Sequence, residues 1–147
     1  MFKKLRKNEK GFTLAELLIV VAIIGVLVAI SIPIFTSQLE KSREATDLAN
    51  LRAAKAEAVV AVLDGKTLDA TKTYYYNAST GVFDDAESAA TKIGKGTAAA
   101  VPGVQYTTDP VYTQFKYSGG DVAGKSITAK YTIPTDGTEP SVEVKFN

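Results

Sequence analysis

Polar and apolar positions divide the chain into three regimes. Residues 1–11 are polar and basic, Leu17 to Ile30 is apolar throughout apart from Gly25, and no charged residue stands between Glu16 and Glu40. A run of about 20 apolar residues, rising about 1.5 Å each, is long enough to cross a bilayer core of about 30 Å. From Phe35 onward Ala45, Leu48, Ala49, Ala56, Val59, Val60 and Leu63 recur at three- and four-residue spacings, interrupted by Arg52. That pattern predicts an amphipathic stripe continuing the apolar run in a single helix of roughly 50 residues. Asp64-Gly65 is its expected stop, with Gly65 in the position just past the last helical turn. Glu40, Lys41, Arg43, Glu44, Asp47 and Lys55 fall on the other faces, where Glu40 and Glu44 are spaced to Arg43 and Lys41 for surface pairs of small worth.

Beyond Gly65 the period changes from helical to two. Thr71 to Tyr76 reads as a short strand or extended loop, and Asn77-Ala78-Ser79-Thr80-Gly81 as a turn. Asp84 with Glu87 suggests a capping box before a short helix ending near Lys92. Ile93 to Pro110 is rich in Gly, Ala and Thr and reads as irregular. Three alternating runs follow: Val111/Thr113/Phe115/Tyr117, Ile127/Ala129/Tyr131/Ile133 and Val142/Val144/Phe146, separated by SGGDVAGK and PTDGTEP. They predict an antiparallel β-meander with one apolar face, for which the helix stripe is the natural partner. The expected fold is α+β, a long N-terminal helix packed on a β-rich head. Its parts are a basic leader (1–11), a hydrophobic segment (12–35), the amphipathic half of the helix (36–65) and the head (66–147).

Charge and composition narrow the function. Lys3, Lys4, Arg6, Lys7 and Lys10 against Glu9 give the leader a net +4, which leaves −3 for the remainder of a chain whose formal charge is +1. No basic face is left for nucleic acid, and none is expected as a partner. The counts of Cys and His are both zero, which removes disulfides, Cys/His metal sites and Ser-His or Cys-His catalysis. Gly94 and Gly96 in IGKGTAAA lack the spacing of a phosphate-binding loop. Asp84, Asp85 and Glu87 are explained by helix capping more simply than by calcium. Tyr74-Tyr75-Tyr76 should leave at least one ring exposed, since neighbours on a strand face opposite sides. Asn77-Ala78-Ser79 matches a glycosylation sequon. No catalytic constellation and no cofactor site emerges, so an enzyme is not expected.

A leader that ends in glycine, a carboxylate at the start of an apolar run, and Gly25 and Pro33 within that run are unlike an ordinary membrane span. Lys10 to Glu16, K-G-F-T-L-A-E, resembles the prepilin-peptidase site of type IV pilins: a Gly, a Phe that becomes the N-methylated first residue, and a Glu four positions on. Gly11, Phe12 and Glu16 match it, and IPIF around Pro33 resembles the family's helix-interrupting proline. The resemblance covers roughly the first third of the chain. It implies cleavage after Gly11, methylation of Phe12, and pairing of Glu16 with the new amine of Phe12, in the same or a neighbouring subunit, to set the assembly register. A carboxylate in a membrane segment costs on the order of 2.5–3.5 kcal/mol and is usually paired, although Glu16 hydrated at the headgroup level remains open. Pro33 removes the bond to the Ala29 carbonyl at about 3 kcal/mol, and Gly25 adds up to about 1 kcal/mol. A kink is therefore expected, and the resemblance implies an extended Gly25–Pro33 stretch in the assembled filament.

By the same resemblance the chain is a pilus subunit that polymerises with itself into a surface filament for adhesion or motility. Its partners are a prepilin peptidase, an assembly ATPase, a polytopic membrane platform, and the membrane before assembly. It sits in the cytoplasmic membrane with the head outside as a precursor, and in an extracellular pilus afterwards. The absence of Cys is similar to Gram-positive pilins and assigns the hold on the chain end to strand pairing by Val142 to Phe146. A pseudopilin of a secretion or competence apparatus, and an uncut membrane-anchored binding module, are the alternatives.

Overall fold

The computed structural model describes residues 11–97, 108, 110–117 and 119–147. The chain forms two compact units, Met1–Thr36 and Ser37–Asn147. A helix, α1, covers Leu14–Leu63, 50 residues that include Gly25 and Pro33. It ends where the sequence places the stop. Gly65 has φ +68°, its N–H donates to the Val62 carbonyl, and the Lys66 N–H donates to that of Ala61, both at 3.3 Å. These two bonds close a left-handed helix terminus that a residue with a Cβ enters only with strain.

Among the described residues four strands follow: β1 (Tyr74–Asn77), β2 (Val82–Asp84), β3 (Ile127–Thr132) and β4 (Ser141–Phe146). They form one antiparallel sheet in the order β2-β1-β3-β4. The β1–β2 turn is the predicted Asn77–Gly81 segment, closed by Gly81 N–H to the Asn77 carbonyl at 2.8 Å and by Ser79 N–H to Asn77 Oδ1 at 2.9 Å. That second bond gives Asn77 a structural use within the sequon. The chain end is held as expected, by a full β3–β4 ladder from Ile127↔Phe146 to Thr132↔Ser141.

Several expectations need correction. The sheet is not a simple meander: β1 lies between β2 and β3, and the sequence pattern announces no strand at β2. Val111–Tyr117 is not a strand: Pro110–Thr113 is a short helix, α2, and Lys116 takes φ +50°. Proline pre-sets the first helical turn, and that local bias overrides a two-residue alternation. Phe115 and Tyr117 are nonetheless buried, at 3% and 5% exposure. The Asp84/Glu87 capping box does not form. Asp84 Oδ1 instead accepts from the Ala86 N–H at 2.8 Å, and only a 3₁₀ turn, Glu87–Ala89, follows. Asp85 pairs with Lys72 at 2.6 Å. Of the tyrosine triplet Tyr76 is buried, and Tyr74 and Tyr75 are half-buried rather than exposed. Residues 93–97 are irregular as expected, and the rest of that segment up to residue 107 lies outside the described residues.

The buried face of α1 also differs from the predicted stripe. Leu48, Leu51, Ala54 and Ala58 are buried and pack on Tyr76, Ile127, Ala129, Tyr131 and Val144, and Ala61 is buried as well, whereas Val59, Val60 and Leu63 are exposed. Small alanines let the sheet approach closely, so the face is chosen by size as much as by hydropathy. One turn further back the same side of the helix is acidic. Glu40, Glu44 and Asp47, expected on solvated faces, are all buried. Glu40 accepts the Thr97 N–H at 2.8 Å and pairs with Arg43 at 3.2 Å. Asp47 accepts from the N–H groups of Lys95 and Gly96, each at 2.7 Å. The two glycines that failed the phosphate-loop test have a packing reason instead: a Cβ on Gly94 would overlap the Val122 carbonyl, and one on Gly96 would crowd Asp47 and Gly120.

Candidate processing and assembly site

Gly11, Phe12 and Thr13 precede α1 without helical structure. Gly11 has open space around it, and Phe12 is 87% exposed. A peptidase needs an accessible, unwound bond, and the Gly11–Phe12 junction is both. Thr13 then caps the helix. The Glu16 N–H donates to Thr13 Oγ1 at 3.2 Å, and Glu16 Oε2 accepts from the Thr13 N–H and Oγ1, each at 2.7 Å. This is a capping box, two orphan donors of the first turn satisfied reciprocally.

Glu16 is thus brought to Thr13, a residue the sequence reading passed over although T-x-x-E before an apolar run is a legible capping signal. Both contacts fall on Oε2, and Oε1 takes no hydrogen bond among the described residues. A carboxylate near the positive end of a helix is also favoured by the aligned peptide dipoles. The capping box fixes where Glu16 sits and leaves it one oxygen for a further donor.

Past Glu16 the helix is apolar on every side. Each large apolar side chain from Phe12 to Phe35 is at least 46% exposed among the described residues. A helix hydrophobic all round belongs in lipid or in a protein core. This one is long and apolar enough to cross a membrane. Gly25 and Pro33 both lie inside α1. Around the proline, Ser31 Oγ donates to the Leu27 carbonyl at 2.7 Å and Thr36 Oγ1 to that of Pro33 at 3.0 Å.

The site therefore consists of an exposed Gly-Phe junction, a capped glutamate and an apolar helix whose large side chains are exposed. Residues 6–32 match the family model described as the prokaryotic N-terminal methylation motif. Over up to about two fifths of its length the chain is also similar to fimbrial proteins and type IV major pilins. It is 44% identical over 59 residues to fimbrial protein Q of Moraxella bovis, a match covering 40% of this chain and 38% of that protein. To a fimbrial protein of Pseudomonas aeruginosa it is 44% identical over 62 residues, 42% of this chain and 40% of that one. To the type IV major pilin protein PilA of Myxococcus xanthus it is 50% identical over 46 residues, 31% of this chain and 21% of that one. The matches thus span well under half the length of these relatives. No solved structure matches the chain.

Proposed function

We propose that the chain is the subunit of a type IV pilus, cut after Gly11, N-methylated at Phe12 and polymerised through its apolar helix into a surface filament. The observation that carries this reading is the helix from Leu14 to Phe35, exposed on all faces and directly preceded by an accessible Gly-Phe bond. Before assembly lipid covers that surface; afterwards copies of the same helix do, in a head-to-tail contact that does not close into a ring. A prepilin peptidase, an assembly ATPase and a membrane platform are the implied partners, and the precursor is anchored in the cytoplasmic membrane with its head outside. The role is structural rather than catalytic. Glu16 sets the register by offering a carboxylate oxygen to the methylated amine of Phe12, and the Gly25–Pro33 stretch extends when neighbours cover its freed backbone groups. The relatives named as fimbrial proteins and major pilins favour a pilus subunit over a pseudopilin.

Intact-mass analysis of the protein from cells and from material sheared off their surface tests this. The expected species begins at Phe12, carries one extra methyl group and is present in the sheared fraction. A processed chain absent from that fraction indicates a pseudopilin, and an uncut chain confined to membranes indicates an anchored module.

A further inference from the structure

The Ser37–Asn147 unit carries opposite charge at its two ends. One end gathers the stop of α1, the chain entering β1, the end of β2 and the β3–β4 turn. Exposed there are Asp64, Asp69, Asp84, Asp85, Asp136 and Glu139 against Lys66 and Lys72, a net of −4. At the other end the 92–97 segment and the 121–126 turn are laced together. The Lys125 carbonyl accepts the N–H groups of Ile93 and Gly94, each at 3.1 Å, and Lys92 bridges to Ser126. Lys92, Lys95 and Lys125 are exposed there beside Asp121, while the buried Glu40 and Asp47 accept from the backbone of the same segment. Asp47 and Leu63 mark the two ends on α1, about 24 Å apart at about 1.5 Å per residue.

These charges are not neutralised within the chain. Among the described residues no ion pair engages Lys92, Lys95 or Lys125, and of the six carboxylates at the acidic end only Asp85 has one, with Lys72. The acidic end also holds an apolar groove. Val59, Val62, Leu63, Pro140 and Val142 line a cavity of about 330 Å³, and Glu139 is the one charged residue in its lining. Leu63 is 79% exposed. An exposed apolar surface rimmed by charge marks an interaction site. This rim repels an acidic partner and selects a basic one, and every other copy of the chain carries a basic end.

We propose that the groove and its acidic rim receive the Lys92/Lys95/Lys125 end of a second copy, head to tail. The inference rests on the filament reading and adds to it a contact between heads. The two surfaces differ, so the contact is heterologous and repeats without closing on itself. Its charges fix the direction of each head, because a reversed copy brings like charges together.

The chain has no Cys, so introduced thiols report contacts between copies without background. Thr135→Cys in the β3–β4 turn and Ala123→Cys in the opposite turn leave every charge in place, and both positions are exposed. In cells treated with a short bis-maleimide, the double variant should give a ladder of multimers and the single variants none. A single variant that cross-links as well as the double overturns the proposal, because it marks a symmetric contact. So does the absence of a ladder while chains beginning at Phe12 are present in the sheared fraction. Uncut chains confined to membranes overturn the filament reading and this inference with it. Charge reversal supplies the second arm. Asp64, Glu139, Lys92 and Lys125 are exposed, and no side-chain hydrogen bond or ion pair engages them among the described residues, so the fold is expected to tolerate their exchange. Asp64→Lys with Glu139→Lys, or Lys92→Glu with Lys125→Glu, should each lower sheared filament about fivefold, and the four changes together should restore it. Unchanged filament from both reversed pairs, or no recovery in the combined variant, overturns the proposal.

Discussion

Asp47 is fully buried, yet its two carboxylate oxygens accept the backbone N–H groups of Lys95 and Gly96, with the Tyr117 hydroxyl donating at 3.4 Å. It ties the middle of α1 to an irregular segment that is otherwise held by backbone hydrogen bonds to residues 122–125. Asp47→Ala strands the buried Gly96 amide, at about 1–3 kcal/mol, and frees the part-buried Lys95 amide at smaller cost, offset in part by removing a buried charge. We expect a net loss of about 2 kcal/mol, read as a lower urea midpoint of the full chain in micelles. Burial pushes the Asp47 carboxyl above its ordinary 3.8, helped by the Glu40 charge, and the hydrogen bonds pull it only part of the way back. An acid raised in the folded state binds its proton more tightly there. Its contribution to stability is therefore greatest below pH about 4 and declines as pH rises through the window up to the raised value. Asp47→Asn should flatten that decline. Glu143, held low mainly by the Lys116 hydrogen bond, has the opposite sign, but it is exposed and screened, so comparison with the parent chain isolates Asp47.

At the scale of elements, α1 and the sheet choose each other by shape. The stripe legible in the sequence weights Val59, Val60 and Leu63, the bulkier residues, whereas the sheet docks on Leu48, Leu51, Ala54 and Ala58. Leu51 is wholly buried and Val59 is 42% exposed. Leu51→Ala should accordingly cost about 2–5 kcal/mol, while Val59→Ala stays within about 0.5 kcal/mol. Equal effects in thermal unfolding would favour the sequence stripe over the observed face. The helix stop, the Asn77 turn, β3 and β4 were all legible, because each rests on local chemistry: a left-handed glycine, an Asx turn, a two-residue alternation. The Val111–Tyr117 run was not, because alternation over so few residues is weak evidence against a proline that starts a helix. β2 has three residues and no apolar alternation to announce it; it exists because β1 offers it an edge.

For the molecule as a whole, the two units solve the hydrophobic problem differently. Ser37–Asn147 buries its own core, while the described residues of the other unit, 11–36, leave their large apolar side chains exposed. Under the proposed filament reading the residues that govern each step separate cleanly. Gly11→Leu should leave the full-length chain in membranes, since a side chain at the cleaved bond obstructs the peptidase. Glu16→Ala should still be cut, because Gly11 and Phe12 are untouched, but should yield far fewer sheared filaments. Normal filaments from Glu16→Ala would sink the register role. Immunoblots of membrane and sheared fractions read both outcomes.

The amino-acid sequence by itself determined the apolar helix, its Gly-Phe entry, its glycine stop and the pairing of the chain end. Each of these is encoded by neighbours within a few residues or by a single long run of one character. Only the tertiary structure decided that Glu40, Glu44 and Asp47 are buried, that Gly94 and Gly96 are tight contacts, and that exposed carboxylates and lysines gather at opposite ends of the sheet. Those facts depend on segments dozens of residues apart coming together. A buried carboxylate and a solvated one look identical until the amides that justify the burial are in place.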